Sequence, residues 1–239
     1  MEFKGKTALI TGSGAAGGLG HAIAESLAAG GAKVLLTGRD PQRGVQVADA
    51  LGGEARFLAA ELGDPESVRA LATEVGAVDI LINNAALMTG EARDIREFDD
   101  VFAVNVRAPF LLATALAPKM VANGGGSIVN ISSTAAGIGM PDIGVYGATK
   151  AALESLTRAW AAEYAPGKVR VNAVAPGPMH TSKAVAAIGA DLGGYGGTVP
   201  LNRSADPAEV AEVVAFVASD RAGYMTGAIV PVDGGRAAI

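Results

Sequence analysis

The 239-residue sequence predicts an α/β fold: one doubly wound, Rossmann-type parallel sheet of about seven strands with helices on both faces. Three observations carry that expectation. Seven short apolar runs alternate with longer helix-like segments along the whole chain. The runs are mostly apolar rather than alternating, as strands buried on both faces of a parallel sheet are. A Gly-rich turn follows the first of them and opens a helix, the usual start of a dinucleotide fold.

The strand candidates are Thr7–Thr11, Lys33–Thr37, Ala55–Ala59, Asp79–Asn83, Ser127–Ile131, Val169–Ala175 and Ala228–Val232. Between them lie helix candidates near Leu19–Ala29, Gln42–Leu51, Glu66–Val75, Asp94–Val121, Gly144–Ala165 and Pro207–Ser219. Three of these have readable starts. Asp40-Pro41, Asp64-Pro65 and Asp206-Pro207 each place an N-capping carboxylate before a proline suited to the first helical position. No linker or repeat divides the chain, so residues 1–239 read as a single dinucleotide-binding and catalytic domain. Within it, the segment 182–200 carries Gly189, Gly193-Gly194 and Gly196-Gly197, glycines that suggest a mobile lid.

Composition narrows the function. Half of the residues are hydrophobic and 18% are charged, with a net charge of −5, so no basic stripe suggests nucleic acid. Cysteine is absent, which excludes disulfides and thiol catalysis and fits a reducing cytoplasm. With two widely separated histidines and no Cys/His cluster, no metal site is expected. The first residues lack a signal-peptide core, and no uninterrupted apolar run reaches the ~20 residues of a membrane span. The expectation is a soluble, cytoplasmic protein acting on a small molecule.

The chemistry concentrates where strands end. Tyr146 and Lys150 lie four apart in a stretch without Pro and almost without Gly, so both project from one helix face. A lysine cation beside a phenol favours the phenolate, which makes Tyr146 a candidate general acid/base. A second Tyr-x-x-x-Lys, Tyr164 to Lys168, is interrupted by Pro166 and Gly167 and reads as a helix end. Ser133 precedes Tyr146 by thirteen residues and lies just past the end of a predicted strand. At the other end of the chain, Gly12, Gly14, Gly17, Gly18 and Gly20 let a backbone approach a pyrophosphate, with a helix N-terminus facing its charge. After the second strand, Gly38 stands where an acidic residue would hold a ribose diol, and Arg39 offers a cation to a 2′-phosphate. That favours NADP(H), with NAD(H) as the alternative.

Together these motifs resemble the short-chain dehydrogenase/reductase family, in particular its 3-oxoacyl-ACP-reductase-like members. The resemblance also rests on Asn83-Asn84-Ala85-Ala86, on Asn105 within Val104–Phe110, on Ile131-Ser132-Ser133, on Arg170–Gly177 and on Val232–Gly235. It implies a catalytic set of Asn105, Ser133, Tyr146 and Lys150. In that set Ser133 holds the substrate oxygen, Lys150 lowers the Tyr146 pKa and binds the nicotinamide ribose, and Asn105 holds a water linking Lys150 to solvent; Ser132 is structural. Coenzyme contacts are implied for Gly12, Gly18, Leu19 and Gly20. They are also implied for Arg39, for Glu61 and Leu62 at the adenine, and for Asn84, Ala85 and Ala86 at the adenosine ribose. Pro176, Gly177, Met179 and Thr181 would orient the nicotinamide, and the resemblance implies that segment 182–200 covers the substrate. The sequence departs from the family turn in that five residues separate Gly12 from Gly18, two more than usual. The implied activity is reversible hydride transfer between the coenzyme and a carbonyl or secondary alcohol. Alternatives are a non-catalytic cofactor sensor or scaffold, and an enoyl reductase. Small or apolar residues on several sides of the Tyr146 helix add the expectation of a homotetramer or homodimer.

Overall fold

The protein, seen here in a computed structural model, is described over residues 2–88 and 94–239. Its elements in chain order are β1 (Thr7–Ile10), α1 (Leu19–Ala29), β2 (Lys33–Gly38), α2 (Pro41–Leu51) and β3 (Arg56–Ala59). Next come α3 (Pro65–Glu74), β4 (Ile80–Asn83), α4 (Ile95–Phe102), α5 (Ala108–Ala122) and β5 (Gly126–Ile131). The chain closes with α6 (Gly144–Tyr164), β6 (Val169–Pro176), α7 (Ser182–Ile188), α8 (Pro207–Ala218) and β7 (Ile229–Val232). Every predicted strand forms, each with bounds shifted by a single residue. They pair in parallel in the order β3-β2-β1-β4-β5-β6-β7, the doubly wound arrangement expected.

Strand periodicity explains the two cores. In β1, Ala8 and Ile10 face one side and Leu9 the other, and both sides are apolar. The first core packs α1 and α8 on the sheet through Ile23, Leu27, Val210 and Val214. The second packs α3, α5 and α6 through Leu71, Leu112, Leu116, Leu153 and Trp160. The predicted Asp caps form as expected. Asp40 accepts from the Arg43 amide, Asp64 from Glu66 and Ser67, and Asp206 shares a capping box with Glu209.

Two local features differ from the expectation. The segment predicted as one helix, Asp94–Val121, is broken by a π-helical turn over Ala103–Arg107, where the Ala108 amide donates to the Ala103 carbonyl five residues back. Pro109 supplies the reason: it has no N–H, and in a regular helix its ring would collide with the Asn105 carbonyl four residues earlier. The second feature is α7, a helix inside the Gly-rich segment 182–200, started by Thr181, whose hydroxyl accepts from the Ala184 amide. The stretch Ile95–Ala122 is long and apolar enough to cross a membrane by length and composition. In this fold, however, Leu112, Leu116, Ala117 and Met120 are fully buried in the second core.

Candidate active site

The order of the sheet reverses between β1 and β4, and the loops leaving the carboxyl ends of the strands line the resulting crevice. Helix α6 reaches this edge from the β5 side. Its approach requires Gly147: a Cβ there would lie 2.5 Å from the Ala135 carbonyl oxygen in the loop after β5. With that contact closed, the Tyr146 hydroxyl shares a hydrogen bond with Ser133. One turn on, Lys150 Nζ donates to the Ile131 carbonyl at the end of β5, at 2.7 Å. Neighbouring Ser132 is buried and donates to Glu154 at 2.6 Å, the structural role expected of it.

Lys150 is 1% exposed, and burial lowers its pKa from 10.5 to about 8. Its Nζ lies 5.6 Å from the centre of the Tyr146 ring. The expected net lowering of the Tyr146 pKa is reversed by burial, which outweighs what favours the phenolate. Burial raises the phenol's pKa, and the opposing pull comes from the Ser133 hydrogen bond. The ammonium itself is bonded to a carbonyl and lies over the ring, close enough to act on a phenolate when one forms. The resting group is a protonated phenol beside a cation.

Asn105 lies in the π-turn and is completely buried. Its side chain is fully engaged: Oδ1 accepts from the Leu87 amide at 2.7 Å, and Nδ2 donates to the Leu87 carbonyl and to Thr149 Oγ1. Thr149 in turn donates to the Tyr146 carbonyl at 2.7 Å. Asn105 therefore clamps the loop after β4 to the Tyr146 helix. The water that the resemblance assigns to Asn105 is thus not the partner of its side chain in these bonds.

The nucleotide end is built from close backbone approaches. Gly12 has φ +68°, and a Cβ on it would lie 2.8 Å from Ala85 Cα; one on Gly20 would meet Asn84 Nδ2 at 2.5 Å. Asn84 Nδ2 donates to the Thr11 and Gly12 carbonyls, while Thr11 Oγ1 accepts from the amides of Asn84 and Ala85. Helix α1 begins at Leu19 with Gly18 as its N-cap, without a side-chain cap and without an acidic residue in its first turn. Its leading amides are thus left to an anion. Among the described residues, the buried side-chain atoms lacking partners, Thr37 Oγ1 and Asn83 Oδ1, belong to the ends of β2 and β4 at this edge. These features fit a dinucleotide.

The other predicted residues fall around the same crevice. Arg39 is exposed after β2. Glu61 is exposed and accepts from the Gly63 amide, while Leu62 turns its side chain into the second core. Ala86 is exposed beside Ala85. Pro176 ends β6, and Gly177 lies so near β7 that a Cβ would reach 2.8 Å from Asp233 Cα. Met179 pairs with Ala205, and Thr181 caps α7.

Known proteins share this arrangement. A family model described as Enoyl-(Acyl carrier protein) reductase matches residues 14–237. The chain is 36% identical to the 3-oxoacyl-[acyl-carrier-protein] reductase FabG of Escherichia coli (strain K12), over 98% of both chains. A solved structure of a short chain dehydrogenase/reductase family protein is 48% identical, covers all of both chains and superposes with a TM-score of 0.95. That of L-sorbose reductase from Gluconobacter frateurii, complexed with NADPH and L-sorbose, is 32% identical over 99% of this chain and 98% of the other, with a TM-score of 0.91. The chain belongs to the short-chain dehydrogenase/reductase family. It is an oxidoreductase of that family, acting between CH–OH and C=O groups with a nicotinamide coenzyme.

Within this family member, the sequence reading missed Thr149 as a bridge between Asn105 and Tyr146. A β-branched hydroxyl in an Ala-rich helix, adjacent to Lys150, was the signal. A separate concavity of about 810 Å³ opens at the opposite end of the sheet, lined by Lys6, Asp79, Lys168 and Arg170 among others. It gathers no comparable chemistry, and Arg170 there is occupied by the carbonyls of Val217, Ala218 and Ser219.

Proposed function

We propose that the protein is an NADP(H)-preferring reductase/dehydrogenase of small or moderately apolar carbonyl compounds, with Tyr146 as its general acid/base. The observation that carries this reading is the convergence of Tyr146, Ser133 and Lys150 at the crevice beside the glycine cradle. The coenzyme, when bound, supplies the hydride for reduction or accepts it in oxidation. The remaining work falls to the chain. Ser133 donates a hydrogen bond to the substrate oxygen as charge develops there. Tyr146, kept protonated by burial, gives that oxygen its proton. The Lys150 cation then stabilises the phenolate left behind, because charges interact strongly in a site this dry. Reprotonation from solvent runs through the Asn105 carbonyl and Lys150.

In this reading Gly12, Gly18, Leu19 and Gly20 hold the pyrophosphate, and Asn84, Ala85, Ala86, Glu61 and Leu62 surround the adenosine. Pro176, Gly177, Met179 and Thr181 hold the nicotinamide, and segment 182–200 covers the substrate. Arg39, exposed and without a hydrogen bond or ion pair among the described residues, meets the 2′-phosphate. The lack of cysteine fits the cytoplasm as its compartment.

The family model's description and the lengthened Gly turn favour enoyl reduction as a second reading. The four-residue Tyr146–Lys150 spacing favours the carbonyl. The Tyr146 helix also leaves Ala148, Ser155 and Ala159 exposed, and Phe98 and Phe110 of α4 and α5 are more than a third exposed. These apolar and small residues support a homotetramer or homodimer through the helical face.

Tyr146→Phe is expected to lower turnover of 3-oxoacyl thioesters or β-keto esters at least a hundredfold while NADPH still binds. Turnover within a few-fold of wild type, or consumption of NADPH with enoyl thioesters alone, would contradict the assignment. Arg39→Asp should weaken NADPH at least tenfold and leave NADH binding nearly unchanged; equal effects on both would remove Arg39 as the selector. Light scattering should give a dimer or tetramer, and a monomer would count against the helical interface.

A further inference from the structure

The two extra residues of the Gly-rich turn have a structural consequence at the far side of the crevice. Gly17, in this lengthened turn, has φ +72°, and its carbonyl accepts from the amide of Ser182 at 2.9 Å. The approach is so close that a Cβ on Gly17 would lie 2.0 Å from Ser182 Oγ. Ser182 is the first residue of α7, and none of the seven residues of α7 is buried. The base of the loop before it is pinned elsewhere: the His180 amide donates to the Ala205 carbonyl, and the Ala205 amide to the Pro178 carbonyl. With so little burial to fix it, α7 depends on its end contacts for its position. The Gly17–Ser182 bond joins the loop after β1 to the loop after β6.

We infer that Gly17 and Ser182 form a backbone clasp that retains the coenzyme: it spans the groove between the turn holding the pyrophosphate and the loop holding the nicotinamide, and coenzyme leaves only when the clasp opens. This inference rests on the coenzyme reading proposed above. It assigns a role to the lengthened turn, which places Gly17 against α7. It also requires glycine at position 17, on two counts: the left-handed backbone and the absent Cβ.

Ser182→Pro tests the clasp with little other disturbance. Position 182 is the first of a helix, where proline is tolerated, and Thr181 before it already has the extended backbone (φ −83°, ψ 149°) that a residue preceding proline adopts. The substitution removes the donated hydrogen and sets a ring against the Gly17 carbonyl. Ser182→Ala keeps the amide and is the control. Dissociation of NADPH, followed by its fluorescence after mixing with excess competitor, should be roughly three- to tenfold faster in Ser182→Pro, the effect of one hydrogen bond. Ser182→Ala should match wild type. Equal rates in Ser182→Pro and wild type would overturn the clasp, as would a rate increase of the same size in Ser182→Ala. Should Ser182→Pro fail to fold, amide hydrogen exchange on the wild-type chain decides. The Ser182 amide is expected to be protected and to gain further protection with NADPH, and an amide exchanging as freely as an open loop overturns the inference. If wild type fails to bind NADPH or NADH at all, the coenzyme reading fails instead.

Discussion

A buried ammonium organises this site. Lys150 carries its charge into the interface between α6 and β5, where it is almost fully buried and where the cost of desolvation shows in a pKa lowered to about 8. The charge is tolerated because the Ile131 carbonyl accepts from it and the Tyr146 ring lies beneath it. That pairing requires α6 to come unusually near the end of β5. Gly147 permits the approach, and Ser133 meets the phenol as a result. Phenol, serine hydroxyl and cation thus share one cause, the close seating of a single helix.

The sheet supplies the frame for that seating. Parallel strands apolar on both faces force helices onto both sides, and every strand then ends at one edge. Polar groups gather there because loops, unlike the strands, need not be buried. Thr11, Asn84 and Asn105 bond neighbouring loops to one another rather than point into the crevice. These bonds hold the loops together, and the proposed pyrophosphate site needs such a held backbone, since its glycines and helix amides would then meet the anion without reorganisation.

Much of this was legible in the residues. The strands could be read because a two-sided core leaves uninterrupted apolar runs, and three helix starts because Asp-Pro has few other uses. Tyr146, Lys150 and Ser133 could be paired because helical spacing and strand ends are local properties. The π-turn was passed over although Pro109 stands in plain view, since a proline near a helix start is usually harmless and here it falls inside a longer helix. Helix α7 was hidden by the glycines around it. The direction of the Tyr146 shift is not legible because it depends on burial, which is not written locally. The Gly17–Ser182 contact joins residues far apart in the chain, so only the fold reveals it.

Lys150 lies buried against Tyr146 and holds its proton less tightly than an ordinary lysine. NMR titration of the lysine side chains, with Lys150→Met to assign the signal, measures this directly. One lysine signal is expected to titrate near pH 8 and to vanish in the variant. If every lysine titrates near 10.5, the ammonium is solvated, and the site as described here does not exist.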